Sequence, residues 1–210
     1  MMPLDITYAN AAYIVRTETY PPKWDAAAAA FASGLGRTQV GVSYGGSDRQ
    51  VFDFFNTSEA PKGTMIFVHG GYWKAFDRSS WSHLAAGPLA AGWSVAMPSY
   101  DLCPDVRISE ITQQIAQAVQ VIAARTEGPL ALAGHSAGGH LVARMLDPAV
   151  LSEAVRDRIV RVAPISWWLT SYAGGDFHER DPAAGRGGGD LEAHPYGPTG
   201  CRRRQDLGGR

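Results

Sequence analysis

Residues 134–140 read GHSAGGH, which places Ser136 between glycines in the spacing G-x-S-x-G. An apolar run, Leu130 to Ala133, precedes it, and residues from His140 to Leu146 after it carry helical spacing. Strand, tight turn and helix is the context this spacing requires. The serine occupies a strained turn where flanking side chains would collide, and its hydroxyl is aimed at solvent from the positive end of the following helix. Ser136 is therefore assigned as a nucleophile, and such a nucleophile needs a base.

Working outward, the run Thr64 to Val68 (TMIFV) is continuously apolar and is followed by His69-Gly70-Gly71-Tyr72-Trp73. Acyl transfer builds negative charge on a carbonyl oxygen, which backbone N–H groups must meet. Gly70 and Gly71 leave the chain bare enough to approach that oxygen, and Ala137, the residue after the nucleophile, supplies a further donor. His69 is read as a brace for this loop rather than as the base. Tyr72, Trp73 and Phe76 either wall an aromatic pocket or pack as core, and residue types alone do not choose. After a second apolar run, Ser94 to Met97, Asp101 and Asp105 are read as loop-capping rather than catalytic.

The remaining pattern fits one architecture. Trp24 to Leu35 is an alanine-rich helix ended by glycines, while Gln39 to Tyr44 and Gln50 to Phe55 alternate about GGSD as a hairpin does. Ser79 to Ala91 has helical spacing with Trp81, Leu84 and Leu89. Ser109 to Arg125 repeats apolar residues at Ile111, Ile115, Val119 and Ile122, and Ile159 to Ile165 is a last strand. A hairpin followed by alternating strands and helices predicts a mainly parallel sheet covered on both faces, with ligands at the carboxyl ends of its strands.

The 210 residues suffice for one domain with a real core, and a net charge of −1 offers nothing to nucleic acid or an anionic membrane. Cys103 and Cys201 lack metal or redox spacing, no basic segment followed by an apolar run opens the chain, and no apolar stretch approaches a membrane span. A soluble, cytoplasmic protein acting on a small acyl substrate is expected.

HGGYW, the Y-x-L-x-P segment at Tyr100 to Pro104 and GHSAGGHL together resemble the α/β-hydrolase superfamily. More narrowly they resemble its kynurenine formamidase (arylformamidase) branch and the bacterial esterase/lipase-like members near it, to which YANAAYI and YPPKW are also similar. The resemblance covers about Tyr8 to Ser166. It implies an α/β-hydrolase fold, a Ser-His-Asp triad, no cofactor or metal, and hydrolysis of N-formyl or ester bonds, with Ser136 as nucleophile and Gly70, Gly71 and Ala137 at the oxyanion hole. A non-catalytic binding protein of the same fold is the alternative.

In that fold the triad acid and then the histidine follow the nucleophile in sequence. Here only His178 and His194 lie beyond the serine motif, and neither follows an apolar run. The expected organisation is an N-terminal arm and helix (1–36), a hydrolase core (37–166) lacking its last strands, and an aberrant tail (167–210). The tail contains no isoleucine, valine, methionine, lysine or asparagine, and such a composition is expected to be disordered.

Two accounts of the tail stay open, a genuine disordered tail and a shift of reading frame, and the second is the expectation. One base along, Asp176 to Asp190 can be read as TSMNETLRLDAAEA, an amphipathic helix similar to a segment of the family, and Cys201 to Arg210 as AVAAKIWVGG, a buried strand. The expectation can be checked in the coding DNA. Asp176, Phe177 and His178 should be spelled GAC, TTC and CAT, and the shifted frame should continue to an acidic residue and then a histidine. Stops in that frame, or no later histidine, would end the hypothesis.

Overall fold

A computed structural model describes residues 14–36 and 38–166. The expectations for residues 167–210, among them His178, His194 and Cys201, lie outside the described residues.

Six strands form one sheet: β1 (Thr38–Ser43), β2 (Val51–Phe55), β3 (Thr64–Val68), β4 (Ser94–Pro98), β5 (Leu130–His135) and β6 (Ile159–Ile165), in the spatial order β1-β2-β4-β3-β5-β6. The hairpin β1–β2 joins antiparallel to β4, while β4, β3, β5 and β6 run parallel. Every residue of β4 is buried, as befits a parallel strand covered on both faces.

The alternation of side chains along β3 sorts the core into two layers. Ile66 and Val68 face a cluster with Ile111, Ile115, Val119 and Ile122 of helix α3 (Ile108–Arg125) and Leu141 of α4 (Ala137–Arg144). Met65 and Phe67 face the other side, where Trp24 and Phe31 of α1 (Tyr20–Ser33) meet Trp81 and Val95. The isoleucine stripe of α3 is fully buried at Ile111, Ile115 and Ile122. Its first turn is closed by Glu110, whose carboxylate accepts the Arg107 amide at 2.9 Å.

Three expectations need adjustment. The first helix starts at Tyr20, because Pro21 and Pro22 occupy its opening turn, where a missing N–H costs nothing. The helical segment near Trp81 is a 3-10 stretch, Arg78–Ala85, before the short helix α2 (Ala86–Ala90). Its N-cap, Asp77, accepts the Ser79 amide at 3.1 Å, and Leu84 is exposed. Helix α4 ends at Arg144, leaving Leu146 beyond it and exposed. A short helix, α5 (Glu153–Arg156), precedes β6 and was not anticipated. Among the described residues, no helix is long and apolar enough to cross a membrane.

The α3 stripe carries the larger of the two core layers. Ile115→Ala should therefore lower unfolding free energy by roughly 2–5 kcal/mol and Ile115→Val by roughly 0.5–1.5 kcal/mol, read from urea midpoints. Equal midpoints for wild type and Ile115→Ala would contradict this packing.

Candidate active site

Parallel pairing of β3 with β5 sets Val68 opposite Gly134, so the segments that leave both strands emerge at the same end of the sheet. Ser136 lies at the turn between β5 and α4 with φ 53° and ψ −118°. That backbone conformation is strained for a residue with a side chain, at a cost of about 1–3 kcal/mol, and persists only where the surroundings impose it. Here they do. A Cβ on Gly138 would stand 2.0 Å from the Val68 carbonyl oxygen, and one on Gly70 2.6 Å from the His135 carbonyl oxygen and 3.1 Å from Ser136 Cβ. Backbone thus touches backbone on both sides of the serine. The Ser136 amide donates to the Ile165 carbonyl at 2.8 Å, and its carbonyl accepts the amides of Gly139 and His140 at 2.8 and 3.2 Å.

The amides of Gly70, Gly71 and Ala137 meet no backbone acceptor among the described residues. Ala137 opens α4, where the first amides of a helix have no internal partner and the dipole favours negative charge. Gly71 adopts φ 111°, and the loop after it holds Tyr72, Trp73 and Phe76 at φ 54°, 56° and 72°. The structure separates the aromatic residues of this loop. Trp73 packs against the α3 layer and stands edge-on to His140 at 5.5 Å, whereas Phe76 joins Trp24 and Trp81 in the opposite layer. Tyr72 is exposed. Trp73 and Phe76 therefore do not form one wall.

His69 is buried and stacks on Tyr100 at 4.4 Å, and its Nδ1 lies 2.7 Å from the Gly70 carbonyl, to which it donates in that tautomer. The Tyr100 hydroxyl donates to the His69 carbonyl at 3.0 Å. Burial pulls the His69 pKa down to about 4. His140 is likewise lowered to about 4, first by burial and then by Arg144. Neither is a good proton acceptor near neutrality. No described histidine hydrogen-bonds the Ser136 hydroxyl. Among the described residues, no cluster of histidine, cysteine or acidic side chains could hold a metal ion.

The charged residues around the loop carry a role that sequence reasoning missed. Asp53 points inward from β2, and one of its oxygens accepts both the Gly41 amide and Arg78 Nε at 2.8 Å. Arg78 also reaches Asp77 at 3.2 Å and Ser99 at 3.3 Å, and Arg49 donates to two backbone carbonyls. Asp101 accepts from Ser47, Gln50 and Gln114, which ties the loop after β4 to the hairpin turn and to α3. An acidic residue inside an otherwise aromatic strand, VFDFF, was the available signal.

The family model of the alpha/beta hydrolase fold matches residues 65–187, more than half of the chain. The chain belongs to the alpha/beta hydrolase fold family. It is 38% identical over 124 residues to a kynurenine formamidase of Drosophila melanogaster and 31% identical over 121 residues to one of Salmo salar. Each match takes in 55% of this chain and 40% of the relative, so the chain spans about two fifths of the length of these curated relatives. A crystal structure of a "putative thioesterase" from Silicibacter sp. superposes with a TM-score of 0.78 at 61% identity, covering 80% of this chain and 64% of that one. Esterase B from Lactobacillus rhamnosis shares the fold, with a TM-score of 0.51 at 20% identity over 70% of this chain and 52% of the other.

The buried histidines predict a pH dependence. Their folded pKa values lie below the unfolded value, so the unfolded chain takes up protons first as pH falls. This part of stability is complete above about pH 6.5 and is lost as pH drops toward 4, by an amount on the order of a few kcal/mol per histidine. Urea unfolding of wild type and His69→Gln between pH 7.5 and 5 should show a steeper loss in the wild type. A difference between the two that does not change with pH would refute the assignment.

Proposed function

We propose that this protein is a serine hydrolase acting on a small acyl substrate, with Ser136 as nucleophile and Gly70, Gly71 and Ala137 as oxyanion donors. The observation that carries the reading is the strained Ser136 turn, clamped against the β3 loop beside amides that no described backbone acceptor takes. The Ser136 oxygen adds to the substrate carbonyl carbon, and the hydroxyl proton passes to a base that the described residues do not supply. The carbonyl oxygen becomes an anion met by the three amides. Collapse expels the amine or alcohol, which takes that proton from the base, and water then adds to the acyl-serine, releasing the acid and returning a proton to the Ser136 oxygen.

An N-formyl amide of an arylamine is the favoured substrate, ahead of a carboxylic ester. The formamidase relatives support that order at 38% and 31% identity. A thioester shares the same tetrahedral chemistry and belongs in the same assay. His69 serves as a loop brace, and exposed Tyr72 and half-buried Trp73 border the site. No cofactor or metal enters this mechanism, and the protein works in the cytoplasm.

The burial of His69 and His140, which lowers both to about 4, favours a second reading, binding without turnover. With a triad base absent, hydrolysis falls about 10⁶-fold and leaves roughly 10³–10⁴ over the uncatalysed rate. The proposed hydrolase should therefore label slowly with a fluorophosphonate at Ser136, lose that label in Ser136→Ala, and turn over N-formylaniline, p-nitrophenyl esters and acyl thioesters weakly. No labelling above the Ser136→Ala background would favour the binding protein. Full turnover abolished by Ser136→Ala would instead reveal an effective base.

A further inference from the structure

The loop 69–77 holds four successive left-handed positions apart from its two hydrogen-bonded members, Lys74 and Ala75, whose amides both donate to the Gly71 carbonyl. Tyr72, Trp73 and Phe76 carry Cβ atoms that disfavour such backbone, so contacts outside the loop must hold it. Its first carbonyl, at His69, is taken by the Tyr100 hydroxyl at 3.0 Å, and the Trp73 carbonyl accepts the Cys103 amide at 2.8 Å. The far end is held by Arg49, which belongs to the hairpin turn between β1 and β2. Its Nη2 donates to the Phe76 carbonyl and its Nε to the Tyr100 carbonyl, each at 2.7 Å.

One guanidinium thus joins the β3 loop to the β4 loop that supports it. Arg49 is itself fixed, because its own carbonyl accepts the Ser99 hydroxyl at 2.7 Å and the neighbouring Tyr44 hydroxyl donates to the Ser99 carbonyl at 2.6 Å. The Asp77 carboxylate stands 3.8 Å away at a third-exposed surface, where an ion pair adds little. The two carbonyl bonds matter more, and they need a planar donor with fixed directions. Lysine, a point charge, cannot supply both.

We infer that Arg49 is a positioning residue for the oxyanion loop, fixing the Phe76 and Tyr100 carbonyls and through them the backbone of residues 69–76. The consequence for reactivity rests on the hydrolase reading above; the bracing does not. Arg158 provides a matched comparison. It also forks onto carbonyls, of Ala123, Thr126 and Gly128 at 2.6–2.8 Å, but beside the opposite end of β5 from Ser136.

The test uses the full chain as wild type, Arg49→Lys and Arg158→Lys, with hydrogen exchange resolved by segment and the rate of Ser136 labelling by a fluorophosphonate. In Arg49→Lys, exchange over 69–77 and 99–103 should rise roughly tenfold or more while α3 and β5 hold. Labelling should fall about 10- to 100-fold, the scale of a displaced reacting group. Arg158→Lys should loosen 123–130 and label as wild type does. Wild-type exchange in the loop of Arg49→Lys, a uniform rise throughout the molecule, or a loosened loop with unchanged labelling would each overturn the inference. If the wild type itself does not label, the hydrolase reading fails, and the exchange pattern alone decides whether Arg49 braces the loop.

Discussion

Backbone pressed against backbone between the end of β3 and the turn after β5 is the constraint on which the rest of the site depends. Gly138 sits where any Cβ would strike the Val68 carbonyl, and Gly70 where one would strike the carbonyl of His135. Those two absences of a side chain let the loop after β3 and the first turn of α4 share one small volume. The parallel register of β3 on β5 brings them to the same level. Ser136 keeps its unfavourable φ and ψ because it has no other place to go. Strain at one residue is thus imposed by close packing that favourable burial elsewhere sustains.

That packing is bilateral. The sheet separates an aliphatic layer, dominated by α3, from an aromatic layer in which Trp24 and Trp81 lie 5.0 Å apart. The loop after β3 straddles both, since Trp73 enters the first and Phe76 the second. Polar groups tie this straddling loop to the hairpin. The Arg78–Asp53 pair is largely buried, with side-chain exposures of 15% and 5%, and removing one partner of such a pair strands the other charge at a cost of about 3–5 kcal/mol. The same Asp53 oxygen accepts the Gly41 amide beside the irregularity in β1.

The parts of this fold that were legible in the sequence are those governed by local pattern. TMIFV and the Ile159–Ile165 strand have the limits their apolar runs suggest, and the isoleucine spacing of α3 predicted a face that is in fact fully buried. The G-x-S-x-G turn was legible because its chemistry is steric and local. What escaped was set by contact at a distance. A 3-10 winding from Arg78 to Ala85 differs from an α-helix by small torsional changes, while the apolar spacing is common to both. Arg49 carries no local pattern that marks it out in the sequence, and Asp53 only its setting among the aromatic residues of VFDFF. Their partners lie 27 to 51 and 12 to 25 residues away, so no window of sequence contains the pair.

The same division separates features built from backbone from those built from side chains. A nucleophile turn and its amide donors are built from backbone, and backbone geometry follows from glycine placement and strand register, both written within short segments. A general base is a side chain delivered by whichever element happens to pass, and its basicity depends on how much water that element excludes. His69 and His140 show the second effect directly: each lies close to the serine in sequence or across the sheet, and burial has lowered both to about 4. Proximity therefore does not make a base. A histidine that deprotonates a serine near neutrality must keep enough polarity around it to carry a proton, and His69, buried with its Nδ1 on the Gly70 carbonyl and its ring on Tyr100, lacks that polarity.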